Sequence, residues 1–480
     1  MHRAAALAAL CAAWASSASA DLAAAVRAGD VAEIRAALDG GGAADVDAAS
    51  RDGMTALLWA VAANDVDLVR RLLDAGAAPD RGNRYGITPL WLAATNRNPA
   101  LVELLLARGA DARAAMSHGE TPLMAAARAG DAVSIRHLLD AGADPNASES
   151  AHGETALMWA AAENHADAIR ALVAGGADPD LSGKKLDLPA MAWEQTGMVS
   201  TVLPVGGWTA LMYAARQNSQ TAALALAEIG ADLDLREPDG MTALSLAIMN
   251  GHYDLAALLL EAGADPNVAD RTGMTALYAA VDMVTQGNLI GRPSRPRLDA
   301  HAAIDIVRLA LARGADPNAQ LVSPLLDRHH NFGDRELGAG ATALMRAAKG
   351  LDLESMRMLL DAGADASLTL ADGANVLFFL AGATASTAER SALVRDAMRL
   401  ALEAGAAVDA VGRNGETALH RAARRSNAAA VAILLEHGAK PDARDEAGRT
   451  PLEMLPEGQS AQNDEIRALL APVGADAIAP

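Results

Sequence analysis

Along residues 239–271 apolar positions keep a helical rhythm that stops and restarts. Leu244 and Ala247 share one side of a short segment that begins at Thr242, and Asn250-Gly251-His252 interrupts it. Leu255, Leu258 and Leu259 then resume the three- and four-residue spacing of an amphipathic helix. Thr242 is placed to cap the first helix with its hydroxyl. Where proline follows the threonine, as at Pro89 and Pro122, it takes the first helical position, where its missing N–H costs nothing. Gly263 can end the second helix in the left-handed conformation. Asp265-Pro266-Asn267 and Asp270-Arg271-Thr272-Gly273 supply turn chemistry. The predicted unit is helix, turn, helix, hairpin-like loop. One such unit cannot bury its own apolar stripe, whereas stacked copies can.

The unit recurs through the chain. Threonine followed by Ala or Pro and then Leu stands at Thr55, Thr88, Thr121, Thr155, Thr209, Thr242, Thr275, Thr342, Thr417 and Thr450, with several intervals of 33 residues. A degenerate copy, Asn375-Val376-Leu377, falls 33 after Thr342. Gly-Ala, usually followed by Asp and often Pro, comes about twenty residues after each threonine, as in Gly142-Ala143-Asp144-Pro145. Twelve units are expected, roughly 21–51, 52–84, 85–117, 118–151, 152–205, 206–238, 239–271, 272–338, 339–371, 372–413, 414–446 and 447–480. The first lacks the threonine motif and is expected to cap the array. The last ends in a short amphipathic helix, Ile466 to Leu470, and a polar tail.

The pattern Asp-x-x-Gly-x-Thr-Ala/Pro-Leu, then Ala-Ala, then Leu-Leu-x-x-Gly-Ala-Asp-Pro-Asn resembles the ankyrin repeat, and Asp270-Arg271-Thr272-Gly273-Met274-Thr275-Ala276-Leu277 is a clear copy. Tetratricopeptide units have a similar period but lack this hairpin and its Gly-Ala-Asp ending. The resemblance covers nearly all of residues 21–480. It implies an all-α solenoid of about twelve stacked ankyrin-type helix-turn-helix units with hairpin loops. The order of units, including the lead-in Asn83-Arg84-Tyr85-Gly86, is also similar to a group of secreted bacterial ankyrin-repeat proteins. That likeness implies no enzymatic role.

The period breaks in four places: insertions at 182–206, at 285–301 and 320–337 within one unit, and at 382–391. Insertions in arrays map to loops and often to a binding face. The first holds Met191, Trp193, Met198, Val199, Val202, Leu203 and Val205, too apolar for a purely solvated loop. A partner-binding role is therefore expected for Trp193, Met191 and Met198, with Trp193 as anchor; its competing role is a plug on the concave face. Arg292, Arg295 and Arg297 form the one compact basic run and are a weaker candidate for gripping an acidic partner or a lipid headgroup.

Other chemistry is weaker. His118 and His152 occupy equivalent loop positions and are expected at exposed hairpin tips. His301, His329 and His330 lie among Asp299, Asp327, Asp334 and Glu336, donors that suit a transition metal but with no fixed helical spacing. Met124, Met158, Met212 and Met345 follow the repeat threonine by three; Trp59, Trp159 and Tyr213 follow it by four. A thioether ladder could hold copper(I), yet such a stripe reads first as core. No G-x-S-x-G, G-x-x-x-x-G-K-[ST] or H-E-x-x-H motif is present, so no catalytic residue, cofactor or metal site is assigned.

Charge narrows the partners. With 60 acidic residues against 40 basic ones, the net charge of −20 repels phosphate backbones, so nucleic acid is a poor partner. Residues 1–20 pair Arg3 with the apolar run Ala4 to Trp14 and end in Ala18-Ser19-Ala20, the pattern of a secretory signal peptide. Leu10, before the single Cys11, disfavours lipidation. No later stretch is long and apolar enough to span a membrane, so the mature chain is expected without a transmembrane segment, and monomeric. The expected function is a non-enzymatic protein–protein interaction scaffold of the bacterial periplasm or exterior, binding an unidentified protein through its concave face and loop tips. The alternative is a metal-handling or metalloenzyme accessory factor using loop His or Met residues. Amino-terminal sequencing of the native protein should find Asp21 first, in the periplasmic or secreted fraction; an intact Met1 would contradict this.

Overall fold

The computed structural model describes residues 22–39, 45–186, 205–285, 299–323, 336–458 and 460–471. Two compact units divide them, the first comprising Leu22–Leu186 with Gly206–Asp232 and the second running onward from Leu233. Residues 1–21 and most of the insertions at 182–206, 285–301 and 320–337 lie outside the described residues.

In the first unit, six helix pairs follow one another: Leu22–Ala28 with Val31–Asp39, Ala56–Ala62 with Val66–Asp74, Pro89–Thr95 with Pro99–Ala107, Pro122–Ala129 with Ala132–Asp140, Ala156–Ala162 with Ala166–Ala174, and Ala210–Gln217 with Gln220–Glu228. The second unit holds five more: Ala243–Met249 with Tyr253–Ala262, Ala276–Thr285 with Ala303–Ala312, Ala343–Gly350 with Leu353–Asp361, Val376–Ala381 with Ala388–Glu403, and Ala418–Arg424 with Ala428–Glu436. A 3-10 turn, Leu452–Met454, and the helix Ala461–Leu470 close the described chain. Within each unit, first helices stack on first helices and second on second, making two rows. The only strands among the described residues are Lys185–Leu186 and Val205–Gly206.

The threonine motif does what its position predicts. Thr55 Oγ1 accepts the Leu58 N–H at 3.2 Å, Thr121 that of Met124 at 3.3 Å, and Thr342 that of Met345 at 3.3 Å. Asn375 substitutes its amide oxygen, accepting from Leu377 at 3.1 Å. Thr450 departs from the pattern: its N–H and hydroxyl both donate to the Glu453 carboxylate, at 2.6 and 3.0 Å. There a 3-10 turn, Leu452–Met454, stands where the other units have a first helix. His420, fully buried, is held between the Thr417 N–H at Nδ1 and the Arg449 carbonyl at Nε2.

Neighbouring units are stapled at both ends of the hairpin loop. At the Gly-Ala-Asp turns, the side chain of one unit accepts the backbone N–H of the next. Asn146 takes that of Asp178 at 2.9 Å and donates to the Gly176 carbonyl at 3.2 Å. Asn267 does the same with Asp316 and Gly314, at 2.7 and 3.0 Å, across the insertion at 285–301. At the other end, successive tips join backbone to backbone, as in Ser150 N–H to the His118 carbonyl at 2.8 Å and Val322 N–H to the Thr272 carbonyl at 2.8 Å. Gly273 sits at φ +84° there, with the Gln320 carbonyl 2.7 Å from where a Cβ would stand, so both its conformation and its space require glycine.

Two details differ from the expected pattern. Leu258 is half-buried, while Leu255, Leu259 and Leu260 form the buried stripe of their helix. Leu258 is one residue, about 100° of rotation, away from Leu259, which puts it on the flank of that stripe. Residues 382–387 of the fourth insertion are linker, whereas 388–391 open a second helix of 16 residues, capped by Thr387. No helix among the described residues is long and apolar enough to cross a membrane.

Leu259→Ala should cost about 2–5 kcal/mol through the cavity it leaves. Hydrogen exchange should show residues 239–271 losing protection before the helices Ala56–Ala62 and Val66–Asp74 do, because stability in an array is a nearest-neighbour property. Simultaneous loss along the whole chain would contradict that.

Candidate interaction face

The repeat threonine fixes which way each side chain of the first helix points. Three residues on, the side chain enters the core: Met124, Met158, Met212 and Met345 are each at most 1 % exposed. Four residues on, Trp59, Trp159 and Tyr213 are only half-buried. The expected single core stripe is therefore two stripes, because one residue is a rotation of about 100° on a helix. The methionines fill the interior, and the aromatic rings lie on the outer flank of the first-helix row.

In the first unit this flank is an alternation of indole, phenol and guanidinium. The Arg27 guanidinium lies 5.4 Å from the Trp59 ring centre, Arg128 lies 5.0 Å from that of Trp159, and Arg216 lies 5.1 Å from that of Trp208. Trp208 meets Tyr213 edge-on at 5.5 Å. Glu154 ties two successive units together, accepting the Trp159 Nε1–H at 2.8 Å and the Tyr213 hydroxyl at 2.6 Å. Glu149 shapes the hairpin behind it by accepting the N–H groups of Ala151, His152 and Glu154 at 2.6, 2.6 and 3.0 Å. Burial pushes the Glu149 carboxyl up, but those backbone donors outweigh it and hold the group below the usual range. Burial pushes the Tyr213 phenol well above its ordinary value, and the bond to Glu154 and that carboxylate's charge add to the effect. A cavity of about 360 Å³ opens beside Arg27 and Trp59, walled also by Ala23, Ala24, Ala28 and Ser50.

The first helices of the second unit carry cations too, but paired with acids. Arg346 Nε donates to the buried Asp282 carboxylate. Glu336 receives Lys349 and Arg421, both at 3.0 Å, and Arg421 also covers the Phe378 ring at 4.4 Å. Burial raises the Glu336 carboxyl, and the two cations outweigh it, so it stays ionised below the usual range. Arg424 meets Glu416 at 2.7 Å. Glu336, Glu416, Arg421 and Arg424, with the pair Arg413–Asp372, wall a cavity of about 130 Å³ whose charges are already matched.

Trp193, Met191 and Met198 lie outside the described residues, as do Arg292, Arg295 and Arg297. His118 and His152 are exposed at hairpin tips. Of the loop histidine group, the three described members have other partners: His301 bonds Asp254 at 2.7 Å, Asp299 caps the Tyr253 N–H at 2.7 Å, and Glu336 joins the arginine cluster. His329, His330, Asp327 and Asp334 lie outside the described residues. Among the described residues no three His, Cys, Asp or Glu side chains gather to hold a metal. The strip of half-buried rings was missed in the sequence because its residues were grouped with the methionines beside them. The one-residue offset, combined with arginine seven positions after the threonine at Arg128 and Arg216, is the signal that separates them.

The family model for ankyrin repeats (3 copies) matches residues 22–116, 114–182, 192–270, 229–290 and 388–478. The chain belongs to the ankyrin-repeat family. Ankyrin repeats are generally non-catalytic modules that bind proteins. Among solved structures, the ankyrin repeat domain of Bcl-3, described as a unique member of the IkappaB protein family, is 26% identical, with 54% of this chain and 100% of that chain covered and a TM-score of 0.41. No curated protein sequence matches this ankyrin-repeat chain.

The Tyr213 shift sets a pH dependence. A phenol whose folded pKa is raised contributes stability that is complete below its unfolded value of 10.0 and is lost as pH rises beyond it. Phenolate absorbance should therefore contain a late step that Tyr213→Phe removes, and the same substitution should flatten the alkaline loss of stability. An alkaline absorbance profile with no late step lost in Tyr213→Phe would contradict the Glu154–Tyr213 bond.

Proposed function

We propose that this ankyrin-repeat chain is a protein-binding scaffold that works after export, in the bacterial periplasm or outside the cell. The observation that carries the reading is the flank of the first-helix row in the first unit. Trp59, Trp159, Trp208 and Tyr213 stand half-exposed there among arginines. Tryptophan, tyrosine and arginine are the types that dominate binding energy at protein interfaces. Here they are held by neighbours before any partner arrives, which lowers the ordering cost of association. Mechanistically the chain presents a fixed surface and carries out no chemical step. The amino-terminal segment with its Ala18-Ser19-Ala20 ending supports export.

Trp159→Ala should weaken capture of the native partner by at least about 2 kcal/mol, roughly thirtyfold. The measurement is quantitative crosslinking in the periplasmic or secreted fraction of the native host. Leu224→Ala, which trims an exposed apolar side chain on the second-helix row, should leave capture unchanged. Equal capture by wild type and Trp159→Ala would overturn the assignment of this face.

A further inference from the structure

The arginines of the first unit's first-helix row are the unusual feature of this chain. Acidic residues outnumber basic ones, 60 to 40. Yet the six first helices of the first unit contain Arg27, Arg128 and Arg216 and not one Asp or Glu. All three arginines are exposed, and each lies over an indole. The guanidinium groups of Arg27 and Arg128 meet no carboxylate among the described residues. The corresponding cations of the second unit, Arg346, Lys349, Arg421 and Arg424, are all matched by acids.

A guanidinium stacked on an indole is fixed in plane, and at Arg27 and Arg128 its N–H edge meets no carboxylate among the described residues. That edge fits a carboxylate bidentately. Resting on the reading of this face as a protein-binding surface, we infer that its occupant is an acidic polypeptide segment lying along the first-helix row. Its carboxylates meet Arg27 and Arg128, and its apolar side chains meet Trp59 and Trp159. Arg27 and Arg128 stand three units apart, about 30 Å at about 10 Å per unit. An extended chain rises about 3.3 Å per residue, so about nine residues cover that stretch. The recess of about 360 Å³ beside Arg27 and Trp59 offers one larger side chain a seat at the end of the row. The net charge of −20 opposes an acidic partner at long range, but salt screens it beyond about 8 Å, leaving the local donors to decide.

The test is selection of short random peptides displayed on phage against the full mature chain. The same selection is run on Trp159→Ala and on the double variant Arg27→Gln, Arg128→Gln, with folding verified by circular dichroism. Single Arg128→Gln and Arg128→Lys replace the double variant if it does not fold. Peptides rich in Asp and Glu should be enriched, the glutamine variants should weaken them roughly tenfold or more, and Arg128→Lys should restore only part of the loss. Neutral or basic peptides that depend on Trp159 would overturn the acidic partner while leaving the interaction face standing. Peptides bound equally by every variant would overturn the interaction face as well. Enrichment of no peptide, or preferential binding of an oligothymidylate, would overturn the inference.

Discussion

Everything in this molecule depends on contact between one helix pair and the next. First helices such as Ala156–Ala162, composed of alanine, leucine, methionine and one tryptophan, have too little bulk to form a core alone. Small side chains allow close approach, so the core is a thin layer renewed at each junction. Hydrogen bonds set the register of that layer. The Asn146 and Asn267 amides each hold two backbone groups of the following unit. These are the groups that a turn would otherwise leave to water, and their pairing converts a loop into a joint. The joint at Asn267 forms although its partner is 49 residues away rather than 32, because only the turn needs to return to the same place.

Junctions built this way leave one flank of each first helix unused. The threonine cap orients the helix, the residue three positions on is taken by the core, and the residue four positions on is free to differ. In the first unit that freedom is spent on tryptophan and tyrosine, with arginine three residues further on at Arg128 and Arg216. In the second it is spent on ion pairs, of which Asp282–Arg346 is buried. A buried pair contributes little net stability against an apolar replacement of similar shape, though losing one partner is costly. Such pairs define local geometry and match Arg346, Lys349, Arg421 and Arg424 with acids, whereas Arg27 and Arg128 meet no carboxylate among the described residues, which is the physical difference between the two surfaces.

The unit, its period, its caps and its family resemblance were legible in the residues alone, because they arise from local chemistry repeated many times. Thr242 and Gly263 act within a few residues of themselves, and their roles follow from backbone geometry. The role of methionine as filler was legible for the same reason. The half-exposure of Trp159 beside the buried Met158 was not, since both are apolar and adjacent in sequence. Neither was the bridge from Glu154 to Tyr213, 59 residues away. The sequence by itself determined what each repeat is, because a repeat is specified by short-range capping, turn and periodicity rules. The tertiary structure alone decided which side chains face outward together, because only stacking brings Arg128 over Trp159, and Trp159 and Tyr213 onto one carboxylate.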